Sequence, residues 1–335
     1  MENNQETIFD DLTRDINNAT MPEAEKKKML QNVLHLRSQK LNIMITGGTG
    51  VGKSSTINAL FDANVAKVGV GSTPETMDIK KYELKNLVLW DTPGLGDGKE
   101  ADELHSRNII NKLGEQGTDG KALIDLVLVI LDGSSRELGT SFNLINNVII
   151  PNLGNAQDKK NRILVAINQC DVAMKGKHWN FEKNMPDSTL EKFLEEKVSN
   201  VQTRIRESTG VNVEPIYYSA GYKESDDEKQ NPYNLSKLLY FIIEHTPKEK
   251  RLIYVDTLSK EKENWQDDDK REDYKGGIIN KIGKCIVDVV EYGTKGAATG
   301  AAVGGKIFGT TGAKLGAIFG GVAGSVYGLF KGLFG

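Results

Sequence analysis

The run GGTGVGKSS at 47–55 sets four glycines, a lysine and two serines directly after the β-branched stretch LNIMIT and ahead of a helix-patterned one. Glycines let a backbone curl until its N–H groups converge, and a following helix adds the positive end of its dipole. That combination suits phosphate oxygens, so Gly47, Gly48, Thr49, Gly50, Val51, Gly52, Lys53, Ser54 and Ser55 are the candidate phosphate-cradling residues. Lys53 would reach the β- and γ-phosphates, and Ser54 would offer its hydroxyl to Mg²⁺. A glycine-rich strand-to-helix turn with an incidental Lys-Ser is the plainer alternative, and the flanking pattern weighs against it.

Such a loop takes ATP or GTP alike, so base choice must lie elsewhere. Asp91-Thr92-Pro93-Gly94 ends another apolar run, where a carboxylate can hold Mg²⁺ through water and the Gly94 amide can meet a γ-phosphate. Between the two lies VGVGSTPETMDI, with Thr73 and Thr76 both available to Mg²⁺; Thr76 is preferred because it sits closer to the next strand. Metal ligands are therefore expected at Ser54, Thr76 and Asp91, and catalytic contacts at Lys53, Thr76 and Gly94. NQCD at 168–171 closes the apolar run NRILVAIN, where ligands dock on open α/β sheets. An Asp171 carboxylate there accepts from the N1–H and exocyclic amine of guanine, which adenine cannot supply. Asn168 and Gln169 complete this base-reading turn, and a Ser219-Ala220 backbone turn in YYSA could meet the guanine O6. Any one of these motifs is weak alone, but five in one order, each at a strand end, point to a guanine nucleotide.

Positioning them requires a sheet. From Leu41 to about Thr246, short β-branched runs alternate with helix-patterned segments such as STLEKFLEEKVSNVQTRIRES, which predicts an α/β domain with a mostly parallel sheet. DIKKYEL followed at once by NLVLWD leaves no room for a crossover and predicts an antiparallel hairpin. Residues 1–40 carry apolar positions at helical spacing on both sides of Pro22 and read as an attached arm of two amphipathic helices. Residues 247–276, with QDDDKREDYKGG, read as a charged linker or solvated helix, and a glycine-rich helical region follows at 277–335. On that division, removing 277–335 is expected to leave a folded nucleotide-binding domain.

In order, GGTGVGKS, Thr76, DTPG, NQCD and SA resemble the five motifs of the translation-factor-like P-loop GTPases, over about residues 41–246. GGTGVGKSSTINALF with LWDTPGLGDG is most similar to Era-type and immunity-related GTPases, with some similarity to septin-like ones. The resemblance implies a G domain whose mostly parallel six-stranded sheet has helices on both faces, binding of GTP or GDP with Mg²⁺, and hydrolysis to GDP. Four departures matter. Leu95 stands where Ras-like members carry the glutamine that orients water, so slow intrinsic turnover is expected. Gly50 lacks the asparagine side chain of potassium-stimulated relatives. Thr49 adds bulk where an arginine finger would dock. Gln169 replaces a lysine, keeping an aliphatic stem for the base but losing a charge, which would reduce affinity.

Whole-chain charge is near neutral at −3, and no aromatic-basic interleaving is present, so nucleic acid is not an expected partner. Two cysteines 115 positions apart and four scattered histidines predict neither disulfide nor metal cluster, and the acidic start MENNQETIFDD does not read as a signal peptide. The chain therefore reads as cytoplasmic. The final 60 residues hold 17 of the 35 glycines, many on a four-residue beat, with Lys295, Lys306, Lys314 and Lys331 and no acid after Glu291. Three readings stand for this region: a helical hairpin that adsorbs to or inserts in anionic membrane, a soluble close-packed hairpin on the G domain, or a glycine-rich tail without a fold. The first makes the chain a nucleotide switch controlling a membrane-seeking region, with self-association through the G domain or the glycine-rich helices. An Era-like role in ribosome assembly and a membrane-active scaffold with nucleotide as a structural ligand are the alternatives.

Overall fold

The computed structural model describes residues 6–61, 79–96, 98–223, 229–293 and 332–334. Two helices come first, α1 (Ile8–Asn18) and α2 (Glu23–Ser38), separated at Pro22. Strand β1 (Leu41–Gly47) feeds helix α3 (Lys53–Leu60), and β2 (Lys80–Leu84) turns directly into β3 (Leu87–Asp91). Helix α4 (Lys99–Gly114), β4 (Leu126–Asp132), α5 (Gly139–Asn143) with a π-helical turn at Leu144–Ile149, and α6 (Ala156–Asn161) lead to β5 (Ile163–Asn168). A short hairpin, β6 (Trp179–Asn180) and β7 (Met185–Pro186), precedes α7 (Ser188–Thr209) and β8 (Ile216–Tyr217). A second one, β9 (Tyr222–Lys223) and β10 (Lys229–Gln230), precedes α8 (Leu235–His245), and α9 (Tyr274–Gly293) completes the order.

Six strands form one sheet in the order β2-β3-β1-β4-β5-β8, parallel except for β2 against β3. The expected hairpin is this antiparallel pair, turned through Lys85 at φ 52°. Alternation along the strands divides the core into two faces. On β4, Leu126, Leu128 and Ile130 enter one apolar cluster, whereas Val127, Val129 and Leu131 enter the other. The first face is covered by α1, α2, α3, α8 and α9, and the second by α4, the π-helical turn and α7.

Two readings of the chain's periphery change. The N-terminal helices are part of the core rather than an appended arm: Ile8, Leu12 and Ile16 recur every four residues on α1 and are buried. Both Asp256 carboxylate oxygens accept from Ile8 N, at 3.1 and 3.2 Å, fastening the start of α1 to a distant segment. That segment lies within 247–276, which is not a solvated linker. Its Leu252, Ile253, Tyr254, Leu258 and Trp265 are all buried. Lys250 Nζ donates to both Asp125 oxygens at 2.7 and 2.8 Å, while Asp125 also accepts from Asn42 N, so an apparent surface charge ties the segment to the N-terminal ends of β1 and β4. The apolar residues are spread thinly among charges that pair inward, which gives the stretch the composition of a solvated one.

The acidic triplet is also directed inward. Asp268 accepts from Asn234 N at 2.7 Å at the start of α8, and Lys237 pairs with Asp269 at 2.7 Å. Burial, reinforced by Asp269 and Asp267, pushes the Asp268 carboxyl up to about 6. A carboxyl whose folded value lies above its unfolded value of about 3.9 binds more protons folded than unfolded across that window. Its contribution to stability is therefore present at low pH and is lost as pH rises from about 4 to 6, by at most about 3 kcal/mol. Asp268→Asn keeps an acceptor for Asn234 and is expected to flatten that part of the profile and to match or exceed wild-type stability at pH 7. Urea titrations at pH 4.5 and 7 check this; an unchanged pH slope would remove Asp268 as its cause.

Candidate functional site

The residues singled out for chemistry meet at the C-terminal ends of β1, β3 and β5, with the turn after β8 beside them. Gly47, at the end of β1, lies so close to β4 that a Cβ there would stand 2.2 Å from Ile130 O. Gly52 precedes α3 with φ 86°, and a Cβ on it would stand 2.3 Å from Asn168 Nδ2. The loop from 48 to 52 is thus shaped by glycine at its two ends, with Lys53 opening the helix. The Lys53 ammonium donates to Gly48 O at 3.0 Å and more distantly to Gly47 O, folded over the loop it would serve.

DTPG lies against the same loop. Thr49 N donates to Leu95 O at 3.1 Å and Leu95 N to Gly47 O at 3.3 Å. Gly94 passes so near Thr49 that an added Cβ would meet its Cα at 2.5 Å and its N at 2.6 Å. The segment expected to respond to a terminal phosphate is therefore in direct contact with the candidate phosphate loop. Asp91 is buried, and its Oδ1 has no hydrogen-bond partner among the described residues. Burial pushes its carboxyl up, opposed by the positive charges of Lys53 and Lys80. An orphaned buried carboxylate oxygen at a strand end fits a hydrated divalent cation, which would supply its missing partner. Ser54 in the first turn of α3 and Asp91 are the described members of the expected metal set. Thr76 and its alternative Thr73 lie outside the described residues, as does the glycine beat from 294 to 331.

Asn168 joins the two halves of the site. Its Nδ2 donates to Val51 O and its Oδ1 accepts from Ala220 N, each at 2.9 Å, so one buried amide bridges the phosphate loop and the turn after β8. Gln169, at φ 61°, donates from Nε2 to Gly50 O at 2.9 Å. The amide thus makes a neutral bond to the loop. The Ala220 N–H, expected to face a base oxygen, is instead occupied by Asn168. Asp171 is buried at the same turn, and Ser219 exchanges backbone bonds with Tyr233 while accepting at Oγ from Gly221 N.

Several supporting residues carry no motif. Gly133 N donates to Asn168 O at 2.7 Å, and a Cβ on Gly133 would stand 2.4 Å from that oxygen. Lys197 on α7 donates to the carbonyls of Asp132, Gly133 and Ser135, and burial pulls its ammonium down. Tyr218, fully buried, shares a 2.6 Å hydrogen bond with Thr56 on α3. Gly133 follows a strand end and could have been suspected on that ground. Lys197 and Tyr218 act through the fold and have no sequence signal.

Residues 42–169 match a family model described as 50S ribosome-binding GTPase. The Escherichia coli (strain K12) protein YkfA is 27% identical over 158 residues, covering 46% of this chain and 50% of that protein. Interferon-inducible GTPase 1 of Mus musculus is 43% identical over 65 residues, covering 18% of this chain and 16% of that protein. The chain thus spans half the length of the first relative and far less of the second. Among solved structures, a probable GTP-binding protein engB is 22% identical with a TM-score of 0.37, covering 61% of this chain and 97% of that one. The LeoA bacterial dynamin GTPase from ETEC is 14% identical with a TM-score of 0.39, covering 84% and 46%.

Proposed function

We propose that this chain, whose residues 42–169 carry the G domain of the P-loop GTPases, binds GTP with Mg²⁺, hydrolyses it slowly to GDP and phosphate, and uses the change to control its C-terminal region. The observation that carries the reading is Asn168, a buried amide bonded at once to Val51 of the phosphate loop and Ala220 of the base turn. One side chain thereby holds the phosphate cradle and the base reader in fixed relation, as recognition of a nucleotide requires.

Backbone amides from 48 to 54 hold the β-phosphate, with the α3 dipole and the Lys53 charge favouring anionic oxygens. Nucleotide entry draws the Lys53 ammonium from Gly48 O onto phosphate. Asp171 accepts from the guanine edge, while the Ala220 N–H stays bonded to Asn168. Ser54, and Asp91 through water, would hold Mg²⁺, which would supply charge neutralisation at the phosphates. The Gly94 N–H marks the γ-phosphate, so its loss on hydrolysis loosens the contact of Leu95 with Gly47 and Thr49. Leu95 cannot orient the attacking water, which makes turnover slow unless a partner or a second copy supplies that group.

Gly52→Ala is expected to lower GTP affinity by at least about a hundredfold, since a left-handed alanine is strained and its Cβ would displace Asn168, together about 3 kcal/mol. Titration with a fluorescent GTP analogue measures this, and a variant that binds like wild type would show that the Gly52–Asn168 approach is unimportant. For the reading as a whole, the test is direct titration of the wild-type protein with GTP and ATP in Mg²⁺. Equal affinity for the two would sink it.

The fate of the C-terminal region is a separate part of the proposal. No helix among the described residues is long and apolar enough to cross a membrane. The four lysines and the glycine beat support adsorption to anionic lipid, and the same small-residue pattern supports self-association. Co-flotation of the full chain with phosphatidylserine-containing vesicles, with GTP, GDP or neither, tests the lipid part. Protein that stays out of the vesicle fraction in all three conditions would reject it.

A further inference from the structure

Residues 257–265 form a strap between the 3₁₀ stretch Lys248–Asp256 and α9, and they touch two things that the proposed function needs to connect. On one side they are bonded to the end of the phosphate-loop helix. Ser259 N donates to Leu60 O at 2.9 Å, Asn264 Nδ2 donates to Ala59 O at 3.0 Å, and Leu258 pairs with Phe61 in an antiparallel bridge. Helix α3 runs from Lys53 to Leu60, about 12 Å at 1.5 Å per residue, so the strap reads the far end of a short rod whose near end is the phosphate site.

On its other side the strap receives the C-terminal aromatic segment. Trp265 is fully buried, its Nε1 donating to Ser259 O at 2.9 Å. The Phe334 ring meets it edge-on at 5.8 Å between centroids and 81° between planes, and Phe334 is itself 6% exposed. Lys275 Nζ donates to Phe334 O at 3.0 Å, and Leu333 packs on the same core. Ile286 of α9 and Phe334, on either side of the intervening stretch, are both buried in the same apolar cluster.

We propose that Ser259, Trp265 and Lys275 make a releasable docking site for an aliphatic-aromatic peptide, occupied here by the chain's own Leu333-Phe334, and that its occupancy depends on the nucleotide at α3. An edge-on ring contact takes an aromatic side chain, and the lysine ammonium fixes the backbone carbonyl beside it, so the site is specific for a short apolar segment presenting both. Among the described residues the contact includes an aromatic ring, an aliphatic side chain and the Lys275 hydrogen bond, and a displacement of Leu60 and Ser259 shifts the docked fraction severalfold. Release would free Leu333 and Phe334 from the domain while the buried residues of α9 up to Ile286 keep their place. The nucleotide dependence rests on the GTP-binding reading; the docking itself does not.

The test is hydrogen-deuterium exchange on the full chain, comparing wild type, Phe334→Ala and Phe334→Leu without nucleotide, with GDP, and with a non-hydrolysable GTP analogue. Without nucleotide, Phe334→Ala is expected to speed exchange at Ser259 and Trp265 by on the order of tenfold, with β1 and β4 unchanged and Phe334→Leu in between. In wild type, the analogue and GDP are expected to give strap exchange differing severalfold, and the difference is lost in Phe334→Ala. Strap exchange unmoved by Phe334→Ala would overturn the docking site. A nucleotide difference that persists equally in Phe334→Ala would overturn the coupling. Failure of wild type to bind either nucleotide would reject the functional reading, and the nucleotide-free comparison would still judge the docking.

Discussion

Asp171→Asn is expected to cost GTP affinity roughly 10⁴-fold while raising affinity for xanthosine triphosphate. The carboxylate is buried at the turn after β5, where it would accept from two donors on the guanine edge. An amide offers one acceptor and one donor, so it opposes the exocyclic amine of guanine and matches the oxygen that replaces it in xanthine. The penalty is large because the mismatched groups are shut away from water and cannot find other partners. Neighbouring structure should tolerate the change, since Asn168, not Asp171, carries the bonds to Val51 and Ala220. Competition binding with GTP, ATP and xanthosine triphosphate measures it. A variant that loses all three nucleotides equally, or that keeps its GTP affinity, would remove Asp171 as the base reader.

The second large effect concerns where the chain can be cut. Ending it at residue 276 is expected to abolish cooperative folding, contrary to what the division into domain, linker and tail implies. Ile278, Ile282, Cys285 and Ile286 of α9 are buried in the cluster that also holds α2 and α8, and Tyr274 is buried at the start of the helix, edge-on to Tyr240 of α8. Four of them lie beyond the cut, and the truncated helix cannot hold Tyr274. At about 1.5–3 kcal/mol for each buried side chain, their loss rivals the entire stability of a typical domain, about 5–15 kcal/mol. Ending the chain at 293 spares α9 and, among the described residues, loses the Leu333 and Phe334 contacts, so this protein should fold and bind nucleotide with a modestly lower melting temperature. Thermal melts followed by circular dichroism separate the two. A chain ending at 276 that stays monomeric and melts like the full-length protein would show that α9 is dispensable.

Much of the site was legible in the residues themselves because its chemistry is local. A loop able to cradle phosphate would need glycines, Lys53 and Ser54 close together, and the candidate ligand-facing strand ends carry Asp91 and Asn168 at the close of apolar runs. The sheet was legible for the same reason: strand alternation such as Leu126 to Leu131 records two buried faces, and the missing crossover between Leu84 and Leu87 leaves only an antiparallel turn. Other features depended on partners hundreds of positions away. Asp256 looks like any surface acid until its carboxylate receives Ile8 N, and Lys250 looks solvated until it meets Asp125 at the start of β4. A charge pattern records that a residue is charged, not whether its neutralising partner will be water or a buried group brought by the fold. The division of labour at Asn168 was likewise set in three dimensions. Sequence placed it in a base-reading turn, but only the packing of β5 between β4 and β8 puts its amide within reach of both Val51 and Ala220. Trp265, Lys275 and Phe334 follow the same rule, since close packing of a ring against a ring is a property of where the chain returns, and periodicity along the chain carries no record of it.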